Sequence, residues 1–283
     1  MSNFYAMLTI LLWSAVFVFT KILLIKFNSS EVGFIRYFFA SAALIIVVII
    51  KKIPLPAVKD FPMFIIGGAT GFVIYVYTFN NAAALMNSGT CSLIITTAPI
   101  ITAFLASFVY KEKVSIAGWI TILLQFSGII IMTTWNKDIS INQGIIWMLL
   151  ASGSLSIYNI IQRYLSKKGY AAIQIAAYCI FSGTILLGFN APEIIKKFSA
   201  FGLKELIAAI YLGVLAGALA YFSWSKAIEL TEKTSNITNY MFFIPVTTSI
   251  IGYFVEGEIL PMSSIAGGSI ILISFVIYII GNK

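Results

Sequence analysis

PIITAFLASFVYKE, residues 99–112, and PVTTSIIGYFVEGE, residues 245–258, decide the reading of this chain. Each starts on a proline inside an apolar run and ends on a glutamate thirteen residues later, where the run turns polar. Sixteen residues beyond each glutamate a small residue, Gly128 or Ser274, sits in the next apolar run. One membrane unit thus occurs twice, and two such units that rock about a shared centre make a carrier.

The composition points the same way. The chain is 60% hydrophobic and 10% charged, whereas a soluble domain carries roughly 25% charge. Apolar runs of about 20 residues can cross ~30 Å of hydrocarbon as helices, and no strand-like alternation supports a barrel. The net charge is +8, but the basic residues flank apolar runs, where they set topology and do not point to nucleic acid. The absence of histidine argues against His-ligated haem, a His proton relay and His-based zinc chemistry, so no metal or cofactor is expected. Cys91 and Cys179 both fall in apolar runs and read as reduced packing residues. The first run begins at Phe4 with no basic flank or cleavage site, so it reads as a retained helix.

Ten helices are expected, over 4–25, 32–50, 62–81, 88–108, 115–134, 143–163, 171–190, 204–225, 235–254 and 263–281. A short interfacial helix is expected near 193–198. The predicted fold is an all-α integral membrane protein. Its ten transmembrane helices form two five-helix repeats, residues 1–135 and 142–283, around a central cavity. With the N-terminus in the cytoplasm, Lys51, Lys52, Lys59, Lys111, Lys113, Arg163, Lys167, Lys168, Lys226, Lys233 and Lys283 lie inside. Only Lys26, Lys137, Lys196, Lys197 and Lys204 then lie outside, which favours both termini in the cytoplasm. An odd number of spans inverts the second repeat, so Glu112 faces inward and Glu258 outward.

At specific residues the chain resembles the drug/metabolite transporter superfamily, and within it the EamA-type ten-helix carriers. The first copy carries Trp13-Ser14, Arg36 with Ala40, Ala84-Leu85, Pro99 and Glu112. The second carries Ala220-Tyr221, Trp224, Ala227-Ile228, Pro245-Val246 and Gly257-Glu258. Two positions depart from the pattern: Thr121 stands where a glycine is expected, and Ser154-Leu155-Ser156 replaces a tryptophan early in the sixth helix. The resemblance implies a central cavity between inverted halves, lined by the first, third, fourth, sixth, eighth and ninth helices.

The cavity needs polar groups that lipid would penalise, and all ten acidic residues fall in loops or at helix ends. Neutral polar and aromatic residues are therefore the candidate solute contacts. They are Trp13 and Phe17; Tyr75, Phe79 and Asn80; Ser92 and Thr96; Tyr158 and Asn159; Tyr221 and Trp224; and Asn236, Asn239, Tyr240 and Phe243. Gate or hinge candidates are Lys21, Arg36, Gly71, Pro99, Glu112, Gly217, Pro245 and Glu258. Lys21 and Arg36 read either as cations snorkelling to the outer face or as part of an external gate or greeting point for an anionic solute group; both are near enough to Glu31 in sequence to pair with it. Glycines 67, 68, 71, 213 and 217 suit close, sliding helix contacts. Pro99 offers no N–H to the Ile95 carbonyl, which must find another partner or a wet cavity.

The expected function is transport of small organic metabolites, such as amino acids, amines or related amphipathic solutes. The protein would work as an exporter or exchanger in the inner (plasma) membrane, as a monomer or homodimer, with a small-molecule substrate and the lipid bilayer as partners. The alternative is a proton-coupled multidrug efflux pump, which would need a titrating group at mid-depth.

Overall fold

A computed structural model describes residues 1–111, 116–135, 143–197, 199, 201–231, 237–257 and 259–281. All regular structure among them is helical. The elements are α1 (Ser2–Leu24), α2 (Ser29–Lys51), α3 (Val58–Leu85), α4 (Ser88–Tyr110), α5 (Ile116–Thr134) and α6 (Gln143–Lys167). They continue as α7 (Ala172–Leu186), a short α8 (Ala191–Lys196), α9 (Leu203–Glu229), α10 (Ile244–Glu256) and α11 (Met262–Gly281). Six of these, α1 to α4, α6 and α9, are long and apolar enough to cross a membrane, and a seventh qualifies if α7 and the segment Gly188–Lys196 are one span bent by 47°. The stretches Trp119–Gly128, Ile244–Val255 and Met262–Ser274 are shorter apolar helices. The ninth expected span is short because a 3-10 turn over Asn239–Phe243 precedes Pro245, which sits in the first turn of α10.

Large apolar side chains face outward, and many polar ones are buried beside the apolar core. Ile46, Phe108, Leu123, Phe254 and Ile280 are exposed, while Asn80, Thr102, Ser152, Ser156, Asn159 and Gln162 are buried. Water would penalise that arrangement, and a bilayer rewards it, because its hydrocarbon meets apolar side chains and polar groups pair between helices. Local chemistry sets the breaks. Asn28 caps α2 by accepting from Ser30 N and Glu31 N at 3.0 and 2.9 Å, and Glu31 returns the bond by accepting from Asn28 N at 2.8 Å. Asn87 Oδ1 accepts from Thr90 N at 2.9 Å and starts α4, which separates the third and fourth spans. The α4 helix is interrupted at Thr96–Thr97, ahead of Pro99. Thr97 Oγ1 covers the Ile94 carbonyl there at 2.9 Å, and Ser156 Oγ covers that of Ala98 at 2.9 Å.

An offset of 146 residues carries Pro99 to Pro245, and the same offset carries Gly67 to Gly213, Gly71 to Gly217 and Tyr75 to Tyr221. It also carries the π-helical segment Ala69–Ile74 of α3 onto 215–220, which overlaps the π-helical Tyr211–Leu219 of α9. In α3 the Thr70 carbonyl accepts from Ser154 Oγ of α6 at 2.7 Å, and its counterpart in α9, the Ala216 carbonyl, accepts from Trp13 Nε1 of α1 at 3.1 Å. The α5–α11 contact exchanges in the same way. Thr121 Oγ1 donates to the Ser274 carbonyl at 3.1 Å, and a Cβ on Gly128 would lie 2.6 Å from the Gly267 carbonyl. The two departures from the family pattern, Thr121 and Ser154, therefore each make a hydrogen bond between helices.

Candidate functional site

A void lies between the halves, lined by Trp13, Val16, Phe17, Arg36, Tyr75, Phe79, Ile95, Leu155, Met241 and Ile244. Its free volume is about 10 Å³, room for roughly one water. The wall is aromatic. Phe17 and Phe79 have ring centroids 5.0 Å apart, Tyr75 and Phe79 5.6 Å, and Trp13 meets both Tyr221 and Trp224 at 5.1 Å. Of the expected solute contacts, Trp13, Phe17, Tyr75 and Phe79 thus share one cavity.

Behind this wall stands a second layer. Tyr158 packs on Phe72 and Tyr221, and its ring lies 2.6 Å from where a Cβ on Gly71 would be. Asn159 Oδ1 accepts from Trp224 Nε1 at 2.9 Å, and its Nδ2 donates to Thr102 Oγ1 at 3.3 Å. These residues fix the wall and do not line the void. Trp224→Phe should leave the Asn159 oxygen buried without that donor and cost about 1–3 kcal/mol. A lower melting temperature, partly recovered by adding Asn159→Leu, is the expected measurement.

Other expected contacts lie elsewhere. Asn80 Nδ2 donates to the Ser29 carbonyl at 2.8 Å and ties α3 to the start of α2. Ser92 and Thr96 turn back on their own helix, donating to the Gly89 and Leu93 carbonyls at 2.7 and 2.5 Å, and neither is among the residues that line the void. Phe243 is 47% exposed and faces away from the void, with Tyr240 beside it at a ring distance of 6.3 Å. Asn239 begins the 3-10 turn, and its side chain is outside the described set. Asn236, Glu112 and Glu258 lie outside the described residues. The sequence reading missed Val16, Ile95, Leu155, Met241 and Ile244 as wall residues; their only signal is a place one turn or less from a proline, a helix break or an expected contact.

Arg36 corrects the snorkelling reading. It is 1% exposed and lies in the cavity wall. Glu31 does not pair with it, but binds Lys197 at 2.7 Å and Asn28 N. The guanidinium carbon stands 5.4 Å from the Tyr37 ring centroid, and Nε and Nη1 have no hydrogen-bond partner. A buried guanidinium whose donors lack partners is costly to hold. Lys21 belongs to a separate, more open depression of about 490 Å³ with Leu24, Ile25 and residues Ala83 to Asn87. Gly217 meets Ala40 Cβ and the Leu212 carbonyl, each 2.9 Å from a built Cβ.

Ion pairs tie the halves at both ends of the membrane-long α2. Beside its C-terminal end Lys168 pairs with Asp60, Tyr170 Oη donates to Asp60 Oδ2 at 2.7 Å, and Gln174 Nε2 donates to the Pro54 carbonyl at 3.0 Å. Beside its N-terminal end Lys26 pairs with Glu205 at 2.5 Å, Lys197 with Glu31 at 2.7 Å, and Asn190 Nδ2 donates to Ser30 Oγ at 2.9 Å. Asp60 and Glu205 occupy corresponding first turns of α3 and α9. Hydrogen bonds to Asp60 and then to Tyr164 hold the Lys168 ammonium above the usual lysine range, and its bond to Asp60 likewise raises the Tyr170 phenol. A raised lysine pKa means that the pair contributes fully at neutral pH and is lost only as pH climbs through that raised value.

The sequence pattern of the EamA-like transporter family matches residues 1–134 and again 142–280. The chain belongs to that family. This EamA-type chain is 28% identical over 259 residues to "Uncharacterized transporter YdfC" of Bacillus subtilis, spanning 91% of this chain and 84% of that one. It is 24% identical to a "Probable terminal-alkyne amino-acid exporter" of Streptantibioticus cattleyicolor, over 93% of this chain and 88% of the other. It is 25% identical to an "S-adenosylmethionine uptake transporter" of Rickettsia prowazekii, over 94% and 87%. A solved crystal structure superposes with a TM-score of 0.70, covering 99% of this chain and 96% of its own at 13% identity, which speaks to fold alone. The chain is therefore a multi-span membrane transporter for a small molecule and not an enzyme.

Proposed function

We propose that this EamA-type protein exports or exchanges small organic metabolites by alternating access. Amino acids, amines and related amphipathic solutes are the proposed class, and the plasma membrane, with both termini in the cytoplasm, the proposed setting. Ten spans form two inverted repeats, residues 1–135 and 142–283, and the repeats rock about the aromatic void. The observation that carries this reading is the exchange of contacts between halves: Trp13 onto the Ala216 carbonyl in one direction, Ser154 onto the Thr70 carbonyl in the other. The ion pairs at the two ends of α2 support a state shut at both ends, in keeping with a void that holds one water. The described cavity lining contains no carboxylate, which favours a facilitator or exchanger over a proton-driven multidrug pump.

Counterflow in proteoliposomes against a pooled panel of amino acids, amines and nucleotide-sugar precursors tests the carrier. Saturable exchange of at least one member is expected, and inertness toward the whole panel counts against it. Single cysteines at 112 and 258 should label from opposite faces of sealed vesicles. Labelling from one face would remove the inverted repeat.

A further inference from the structure

We propose that Arg36 is the binding point for the carboxylate of the transported solute, so that the carrier takes small organic acids or zwitterions with an apolar body and does not take simple amines. This assignment rests on the carrier reading above and narrows its solute class. Four observations support it. Arg36 is buried in the cavity wall, yet its Nε and Nη1 donate to nothing. Its electrostatic neighbours among the described residues are the tyrosines 37, 221, 75 and 211, with no described carboxylate beside them. The one acid near it in sequence, Glu31, is held by Lys197. The remaining wall of the void is apolar or aromatic.

Chemistry selects the ligand from these facts. A guanidinium is a planar fork of donors that stays charged at any working pH and matches a carboxylate with two parallel hydrogen bonds. The Tyr37 face offers partial compensation at 5.4 Å, but a ring quadrupole leaves the N–H donors unfilled. A phosphate dianion asks for more positive charge than one arginine supplies, and the described lining of the void holds no second cation. A simple amine would bring a second positive charge with no counter-charge in the described wall. Trp13, Phe17 and Phe79 then offer apolar surface to the body of the solute. The void accepts one water as it stands, so a solute enters as the halves part, and its carboxylate supplies the missing counter-charge as they close again.

The test uses the purified full chain in detergent and matched probes: 3-phenylpropionate, 3-phenylpropanamide and 3-phenylpropylamine, then L-phenylalanine and L-phenylalaninamide, with chloride and inorganic phosphate as controls. Binding is read by thermal shift and by tryptophan fluorescence, since Trp13 is in the wall. Each carboxylate should bind at least tenfold tighter than its amide, Arg36→Gln should bring the pair within twofold, and Arg36→Lys should restore part of the preference. Without any ligand, Arg36→Gln and Arg36→Met should melt no lower than the native chain, because they remove an uncompensated charge. The proposal falls if no carboxylate outcompetes its amide, including the case where nothing binds, or if Arg36→Gln keeps the preference. It also falls if both neutral variants fail to fold, which would make the guanidinium structural. Counterflow separates the two readings: flux indifferent to the carboxyl group removes this assignment and leaves the carrier, whereas carboxylate binding without flux overturns the carrier and, with it, the transported solute, leaving Arg36 only as a carboxylate site.

Discussion

Gly68→Val should abolish the folded protein or lower its stability by about 3 kcal/mol or more, the upper range for overpacking a tight contact. A Cβ at Gly68 would stand 2.7 Å from Ser182 Cβ, 2.8 Å from the Gly183 nitrogen and 2.9 Å from the Cys179 carbonyl. Two of those neighbours are backbone, so they cannot turn aside as a flexible side chain would. Gly183 makes the reciprocal approach, 2.5 Å from Phe72 Cβ, so neither α3 nor α7 can yield without displacing the other. Gly153 provides the control. It lies inside α6 with nothing within 4 Å of a built Cβ, and Gly153→Ala should stabilise by up to about 1 kcal/mol through helix propensity. Yield of monodisperse protein and melting temperature measure both. Equal tolerance at the two positions would show that the α3–α7 seam is not tightly closed.

Asp60→Asn and Glu205→Gln should loosen opposite ends of the molecule. Each removes the acid of an ion pair between halves, and each acid also accepts a hydrogen bond, from Tyr170 Oη at 2.7 Å and from Gly202 N at 2.9 Å. The lysine partners are about a third exposed or more, so water weakens the Coulomb part and each latch is worth about 1–2 kcal/mol. That corresponds to roughly a tenfold change in an opening equilibrium. Amide exchange should rise several-fold at 53–60 and 168–171 in Asp60→Asn, with 26–31 and 197–205 unchanged. Glu205→Gln should give the converse pattern. If either substitution loosened both ends together, the two latches would not be independent and alternating access would lose this support.

Much of the architecture was legible in the sequence because lipid enforces it. Apolar runs, the proline–glutamate spacing and the placing of basic residues are one-dimensional signals, and they anticipated a helical membrane carrier. The aromatic cavity was partly legible too: Trp13, Phe17, Tyr75 and Phe79 share the wall. What stayed hidden depends on rotation and pairing. Ser92 and Thr96 share a helix face whether they bond a solute or their own carbonyls, and only coordinates distinguish the two. Phe243 follows Tyr240 at helical spacing, but a 3-10 turn replaces the expected helix and the ring ends outside. Arg36 was visible as an intramembrane charge; that it points inward, and that Glu31 is taken by Lys197, needs the tertiary fold.

The wide turns of α3 and α9 have a mechanical consequence. A π turn holds one more residue than the ordinary helix around it, so each of these helices stores a small length of slack. In α3 the slack lies between the seam glycines 67 and 68 and the wall residue Tyr75; in α9 it surrounds Gly213 and Gly217 and stops just before Tyr221. Twist applied at one end of either rod can be taken up there by trading an i+5 bond for an i+4 bond, so the far end swivels and no donor is stranded in hydrocarbon.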